Sequence, residues 1–390
     1  MMFSNPKKEG DQITFNIENK SGEFNIALVN GMRRTIMADI PLYVIDPNTT
    51  TFHENSSMLN NDILNDRLKL LPLNFNDVVK YDHENLQISL DVKNNDKAII
   101  SVDLNQFVIT DRSTGKTVPI EKIFSHPKIL FAKLKQKQRI HLTTFISKGT
   151  TKLFGAAASP VSNVSYNFEV DQKQVKVELE KIDENYAKKI EQQLNELDSA
   201  EYTELASDDE KKELKKKIEA DLIKERDQIK NNFVLCDYLR YYKKNKFGQP
   251  EVFNFKLVKA GVMESEELFL RGLESLSDTL TKLEYSITND IVDKIQFKKS
   301  KSNLDGYDIS VYYEDDTIGN LIQAYMYGRS NVKYVSYKIP HPLEPELIFK
   351  LELNKGGTEN ATKKEFIACM ADIKKLLDKM SVEFKKLKFK

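Results

Sequence analysis

The sequence predicts an α+β protein: two related lobes that pair within one chain, a β-rich insertion in the first lobe and a charged helical insertion. Three observations predict it. Apolar residues recur at steps of three and four in several long stretches, which is the helical period. Between roughly Asn85 and Val170 the pattern changes to period two, the mark of strands. The order of elements near the start of the 390 residues returns near the end.

From Ile13, "ITFNIEN" alternates apolar and polar and reads as a half-buried strand. Phe24, Leu28, Met32 and Ile36 then recur every four residues, giving a helix with one apolar stripe. The adjacent cations Arg33 and Arg34 stand out on a segment otherwise made for burial. Pro41 marks the turn into the short strand "LYVID". "SSMLNNDILNDRLKLLPL" is a second helical segment, closed by Pro72. "LQISLDV", "AIISVDL", "FVIT", "TVPI", "RIHLTTFI" and "VSYNFEV" follow as short strands of a sheet-rich insertion.

From about Lys173 to Lys246 the chain is rich in lysine and glutamate, read as a solvated helical hairpin or a partly mobile linker. Ser207 with Glu210 forms a capping-box pattern opening a helix through Leu214, Ile218 and Leu222. After Pro250, "VFNFKLV" is again a strand. Phe269, Leu273, Leu276, Leu280, Leu283 and Ile287 then fall at steps of four and three, and Phe366, Met370, Ile373, Leu377, Met380 and Phe384 repeat those steps. Two long helices with matching seams are what two-helix packing requires. At about 1.5–3 kcal/mol per buried large side chain, one seam hides on the order of 10 kcal/mol, so both need partners.

The chain is internally doubled. The first half gives strand, helix with Asn30, strand and, much later, a seam helix. The second gives "YDISVYY", the helix "DDTIGNLIQAYMYG" with Asn320, the strands "VKYVSYKI" and "LIFKLEL", and a seam helix. The expected organisation is a discontinuous first lobe (residues 1–78 and 250–290), a β-rich domain (79–171), the charged insertion (172–249) and a second lobe (291–390). Half-units joined in one polypeptide suggest an internal copy of what is elsewhere a dimer.

Composition excludes several functions. Lys+Arg 59 balances Asp+Glu 59, which argues against coating nucleic acid by bulk charge. Cys236 and Cys369 are far apart, no C-x-x-C occurs and the histidines are scattered, so neither zinc nor another cofactor is expected. Two lone cysteines suit a reducing compartment. The N-terminus lacks an apolar core segment and no run approaches the ~18 residues of a membrane span, so a soluble intracellular protein is expected.

"STGKT" (Ser113–Thr117) lacks the earlier glycine of a phosphate loop, Thr110 standing there, and reads as a hairpin turn. "EDD" (Glu314–Asp316) reads as helix capping. No catalytic arrangement stands out, and His53, His126, His141 and His341 lie on strands or turns. Three basic clusters, at Lys133, Lys135, Lys137 and Arg139, at Lys298, Lys299 and Lys301, and in the terminal "KKLKFK", read as solvated faces, none interleaved with aromatics.

Together these stretches resemble the α-like assembly subunits of multisubunit DNA-directed RNA polymerases, which are two chains in eukaryotes and archaea and a homodimer in bacteria. "NGMRRTIMADIPLYVID" resembles the family's Asn-Ala-Leu-Arg-Arg helix and following strand. "ENSSMLNNDILNDRLKLLPL" resembles its Asn-Ser-Ser and Arg-Leu-Gly-Leu run, with Lys69 in place of the glycine and Asp66 in place of a frequent histidine. "KILFAKLKQKQRIHLTTFISKGT" is similar to its strand-turn-strand, the turn being Leu134–Gln138. "DDTIGNLIQAYMYG" resembles the smaller partner's helix, with Asp316 and Gln323 replacing histidine and arginine, and "VSYKIPHPLEPELIFKLEL" carries its His-Pro turn at His341–Pro342. The Lys173–Lys246 stretch lies outside the resemblance, and the family's cysteine-bound metal site is absent.

The resemblance implies a non-catalytic assembly subunit with both partners fused, an arrangement similar to that of large cytoplasmic DNA viruses. Asn30, Arg33, Arg34, Arg67, Asn320 and His341 would dock the two largest catalytic subunits, with small polymerase subunits as further partners. An ion pair within the chain is the alternative for the arginines. DNA would be met only through the complex, no membrane is implied, and the chain would be a monomer. It would work in the nucleus or, if viral, in the cytoplasmic factory or virion. The rival readings are a coiled-coil scaffold unrelated to transcription and a sequence-independent DNA-binding protein.

Overall fold

The computed structural model describes residues 2–74, 78, 82–197, 208–261, 263–301, 305–354 and 357–389. The chain begins β1 (Phe3–Glu9), β2 (Gln12–Glu18), α1 (Ile26–Ala38), β3 (Leu42–Ile45), β4 (Thr51–Asn55), α2 (Asn61–Lys69), β5 (Leu86–Lys93), β6 (Ile100–Asp103), β7 (Phe107–Asp111), β8 (Lys116–Val118), β9 (Leu130–Leu134), β10 (Arg139–Gly149) and β11 (Val161–Phe168). It continues α3 (Gln172–Leu197), α4 (Asp208–Asn232), β12 (Val252–Lys259), α5 (Ser265–Thr288), β13 (Ile295–Lys299), β14 (Tyr307–Tyr312), α6 (Asp316–Tyr327), β15 (Val332–Lys338), β16 (Glu346–Leu353) and α7 (Glu359–Phe384). The chain is α+β.

Two sheets share one plan. Their strand orders are β1-β2-β12-β11 and β13-β14-β16-β15. In each, a hairpin leads into a short helix, two more strands return with the later one next to the hairpin, and a long helix follows. The two edge strands β1 and β13 were not foreseen. Pro6 sits in β1, and lysine pairs lie on both, Lys7–Lys8 and Lys298–Lys299. Proline and lysine are tolerated at an edge, where one side makes no ladder and charge discourages further pairing.

Between α1 and β11 the chain builds a separate sheet, β3-β10-β5-β7-β8, with β4 also on β10, and a β6–β9 pair. Its core includes Ile88, Leu90, Phe107, Phe131, Ile140 and Leu142. This corrects two expected boundaries. Residues 42–55 belong with this sheet rather than with the first lobe, because β10 pairs Ile146 with Ile45 and Ile140 with Asn55. Residues 161–168 belong to the lobe's own sheet through β12 rather than to the β-rich insertion. "STGKT" is the tip of the β7–β8 hairpin, with Gly115 at φ 67°.

The chain folds into two compact units. The larger comprises Met1–Phe15, Asn25–Ser165 and Phe255–Lys390, and the smaller Asn16–Phe24 and Tyr166–Asn254. Within the larger, α1 packs on α5 and α6, α6 on α7, and α5 on α7. Every seam residue named from the sequence on α5 and α7 is buried. The two long helices run antiparallel: Phe269 meets Phe384 at 4.3 Å between ring centroids, Glu284 pairs with Lys374, and Asp290 beyond α5 pairs with Lys363 at 2.6 Å. Phe3, Phe15 and Phe255 close the aromatic cluster around that end.

On α1, Leu28, Met32 and Ile36 are buried. Phe24 is buried too but is not on the helix, a correction to the expected stripe. Asn25 caps α1 by accepting the Leu28 amide at 3.2 Å, so Phe24 precedes the cap. It lies in the smaller unit, its ring 6.1 Å from Phe253. In that unit α3 and α4 form an antiparallel hairpin tied by Lys189–Glu225 at 3.1 Å and Asp183–Lys230 at 2.5 Å. Ser207 of the expected capping box lies outside the described residues.

Candidate functional site

Helix α1 fixes where its polar residues point. With Leu28, Met32 and Ile36 buried, a 100° step per residue places Arg33 and Arg34 on different faces. The two cations have different fates. Arg33 stays on its own helix: Nε donates to Asn30 Oδ1 at 3.1 Å, and its guanidinium lies 3.3 Å from Met37 Sδ, at the half-open surface.

Arg34 turns inward to the second lobe. Its Nε donates to Thr317 Oγ1 at 2.7 Å, and its guanidinium lies 3.7 Å from Asp315. Arg34 thus makes the ion pair within the chain that was the alternative to docking, with its side chain still 42% exposed. Asp315 is the N-cap of α6, accepting the Thr317 amide at 2.8 Å, as "EDD" suggested. Lys152 completes the cluster, pairing with Asp315 at 3.2 Å and Asp39 at 2.7 Å.

Asp39, Lys152, Glu314, Asp315 and Thr317 line a cavity of 480 Å³ between the C-terminal end of α1, the Thr150–Lys152 segment, α5 and the start of α6. Burial and ion pairing oppose each other in it. Burial pushes the Asp39 carboxyl up against the pull of Lys152. For Asp315 burial is outweighed by bonds from Thr317 and Lys152, which hold it low. Lys152 is held up by Asp39 and Asp315 despite its own burial. Glu314 is raised from 4.5 to about 7, by burial first and then by Asp315 and Asp39, with Lys152 and Lys294 opposing. Asp39, Lys152, Glu314 and Thr317 had no signal in the sequence that would join them to Arg34, since the Arg34–Thr317 bond spans 283 positions.

The other docking candidates are separate. Arg67, in the last turn of α2, donates to the Leu130 carbonyl at 2.9 Å. Asn320 is exposed on α6, at the position matching Asn30 on α1. His341 is exposed in the turn between β15 and β16, where Nδ1 accepts the Leu343 amide at 3.2 Å. Among the described residues no cluster of three or more His, Cys, Asp or Glu could hold a metal, and no helix is long and apolar enough to cross a membrane.

Residues 307–383, from β14 to the last turn of α7, match the RNA polymerase Rpb3/Rpb11 dimerisation domain. Parts of the chain are similar to RNA polymerase subunits. It is 34% identical over 67 residues to the probable DNA-directed RNA polymerases I and III subunit RPAC2 of Caenorhabditis elegans, over 17% of this chain and 44% of that one. The Caenorhabditis briggsae counterpart gives the same 34% over 67 residues. It is also 28% identical over 131 residues to DNA-directed RNA polymerase subunit Rpo3 of Pyrococcus horikoshii, over 32% of this chain and 48% of that one. The chain thus spans about half the length of the curated relatives it matches. The dimerisation match falls on the lobe whose helices α6 and α7 pack against α1 and α5.

Proposed function

We propose that the chain is a non-catalytic assembly subunit of a DNA-directed RNA polymerase, with both members of the α-like pair in one polypeptide. The repeated strand order carries this reading: two sheets of one plan, each with a short and a long helix, pack helix to helix. The similarities to RPAC2 and to Rpo3 support the reading as a polymerase subunit. The outward surface would receive the two large catalytic subunits, with Arg33 as a docking cation held ready by Asn30 and with Arg67, Asn320 and His341 as further contacts. Small polymerase subunits would bind the same platform, and DNA would be met through the complex. The place of action would be that of the enzyme, the nucleus or, for a large cytoplasmic DNA virus, its factory and virion.

A coiled-coil adaptor would need the α5 and α7 seams free for another chain, and they are buried on each other. The test is co-purification of the large subunits with a tagged chain. Arg33→Glu should leave the melting temperature within about a degree, as expected for a surface change, while the yield of large subunits falls several-fold. Wild-type yield would remove Arg33 from the docking surface, and absence of polymerase subunits from the wild-type pull-down would remove the assembly role.

A further inference from the structure

The helical insertion ends in "DYLRYYKKNKF", Asp237 to Phe247, where Arg240, Lys243, Lys244 and Lys246 alternate with four aromatic rings. The three basic clusters singled out in the sequence lie elsewhere, and this one escaped because the stretch was read as part of a solvated hairpin. It belongs wholly to the smaller unit.

The stretch is held rigidly. Tyr242 packs on Phe168 at 4.7 Å and Tyr241 on Phe233 at 5.4 Å between centroids. Beyond them a tight hairpin forms: the Glu251 amide donates to the Lys243 carbonyl at 2.9 Å, and the Asn245 amide to the Gln249 carbonyl at 2.8 Å. The Asn245 side chain organises its tip, accepting the Phe247 amide at 2.9 Å and donating to the Asn19 carbonyl at 2.9 Å. Gly248 takes the left-handed turn at φ 76°.

The tip lifts Phe247 into solvent, 61% exposed. Its ring rests on the backbone at Gly22, where a Cβ would come within 2.3 Å of it. The ring is thereby backed on one side by the Gly22 backbone. Arg240 pairs with Asp237 at 2.8 Å and Lys243 with Glu169 at 2.6 Å. The Lys246 ammonium lies over the Phe247 ring, 5.1 Å from its centroid, and that of Lys244 over the Tyr242 ring at 5.4 Å. An exposed ring whose covering ammonium sits on a flexible stem and can swing from the ring to a phosphate is what a base and its flanking phosphate require.

We propose that this turn binds single-stranded nucleic acid, one base stacking on Phe247 while Lys244 and Lys246 take adjacent phosphates. The proposal goes beyond the assembly role and stands on the smaller unit alone. A duplex is a poorer fit, because its bases offer their faces to one another and not to a protein ring.

The test is fluorescence anisotropy with the purified full chain and fluorescein-labelled oligo(dT) and oligo(U) of about 15 nucleotides, a length that covers a typical site. A duplex of the same length and anionic phospholipid vesicles serve as competitors. Saturable binding is expected, tighter than to duplex, and a preference between the two oligomers assigns DNA or RNA. Phe247→Ala should weaken it about tenfold at every salt concentration. Lys244→Glu with Lys246→Glu should also make the slope of log affinity against log salt shallower by about 1.4. These positions are exposed, and unchanged circular dichroism would confirm that the variants fold. Absence of binding by the native chain, unchanged affinity in Phe247→Ala, or stronger competition by duplex or vesicles would overturn the proposal.

Discussion

The neighbouring arginines differ in what their side chains reach, and that difference organises the cluster around Asp315. One consequence is a pH dependence centred on Glu314. Its folded-state value of about 7 exceeds the ordinary 4.5, so the fold favours the protonated form. The penalty for ionising it is absent below about pH 4.5, grows as pH rises, and is complete above about pH 7, amounting to at most about 3 kcal/mol. Glu314→Gln should therefore raise the melting temperature by a few degrees at about pH 8 and leave it unchanged at about pH 4.5. An equal effect at both values would show that this carboxyl is solvated. None of this was legible in the sequence: Arg33 and Arg34 are chemically identical there, and only packing against a segment nearly three hundred positions away separates them.

At the scale of elements, the close crossing of α1 and α5 is the most sensitive joint. A Cβ at Gly272 would lie 2.3 Å from Ile36 Cγ1, near the root of a buried side chain that cannot swing aside. Alanine is the better helix former by about 1 kcal/mol, but overpacking of this kind costs about 1–3 kcal/mol. Gly272→Ala should lower the midpoint of thermal unfolding; a rise would mean that α1 can shift to make room. The seam helices were legible because six large residues at helical spacing have few alternative explanations. The edge strands β1 and β13 were not. Of the seven residues of β1 only Phe3 is buried, so no alternation marks it, and Pro6 argues for a loop. Boundaries failed for a related reason: nothing local tells β3 or β11 which sheet it will join, because that choice is made by β10 and β12.

For the whole molecule, pairing inside one chain changes the thermodynamics of assembly. Two separate chains would melt at a temperature that falls on dilution, whereas covalently joined halves have a fixed effective concentration. Sizing should give a monomer of 45.0 kDa, with an unfolding midpoint unchanged over about a hundredfold dilution. A dimer, or a midpoint that tracks concentration, would mean that the long helices exchange between chains. The doubled plan was legible because the same order of patterns occurs twice. Its two interruptions hid how closely the halves correspond, since the first lobe's strands are scattered over more than 250 positions.

The second interruption leaves its sheet and comes back almost at the same point: the Glu169 amide donates to the Val252 carbonyl at 3.1 Å. In the other half the matching strands β15 and β16 are joined by a brief turn. Material can therefore be spliced in or pared away at this doorway without rethreading the rest of the sheet.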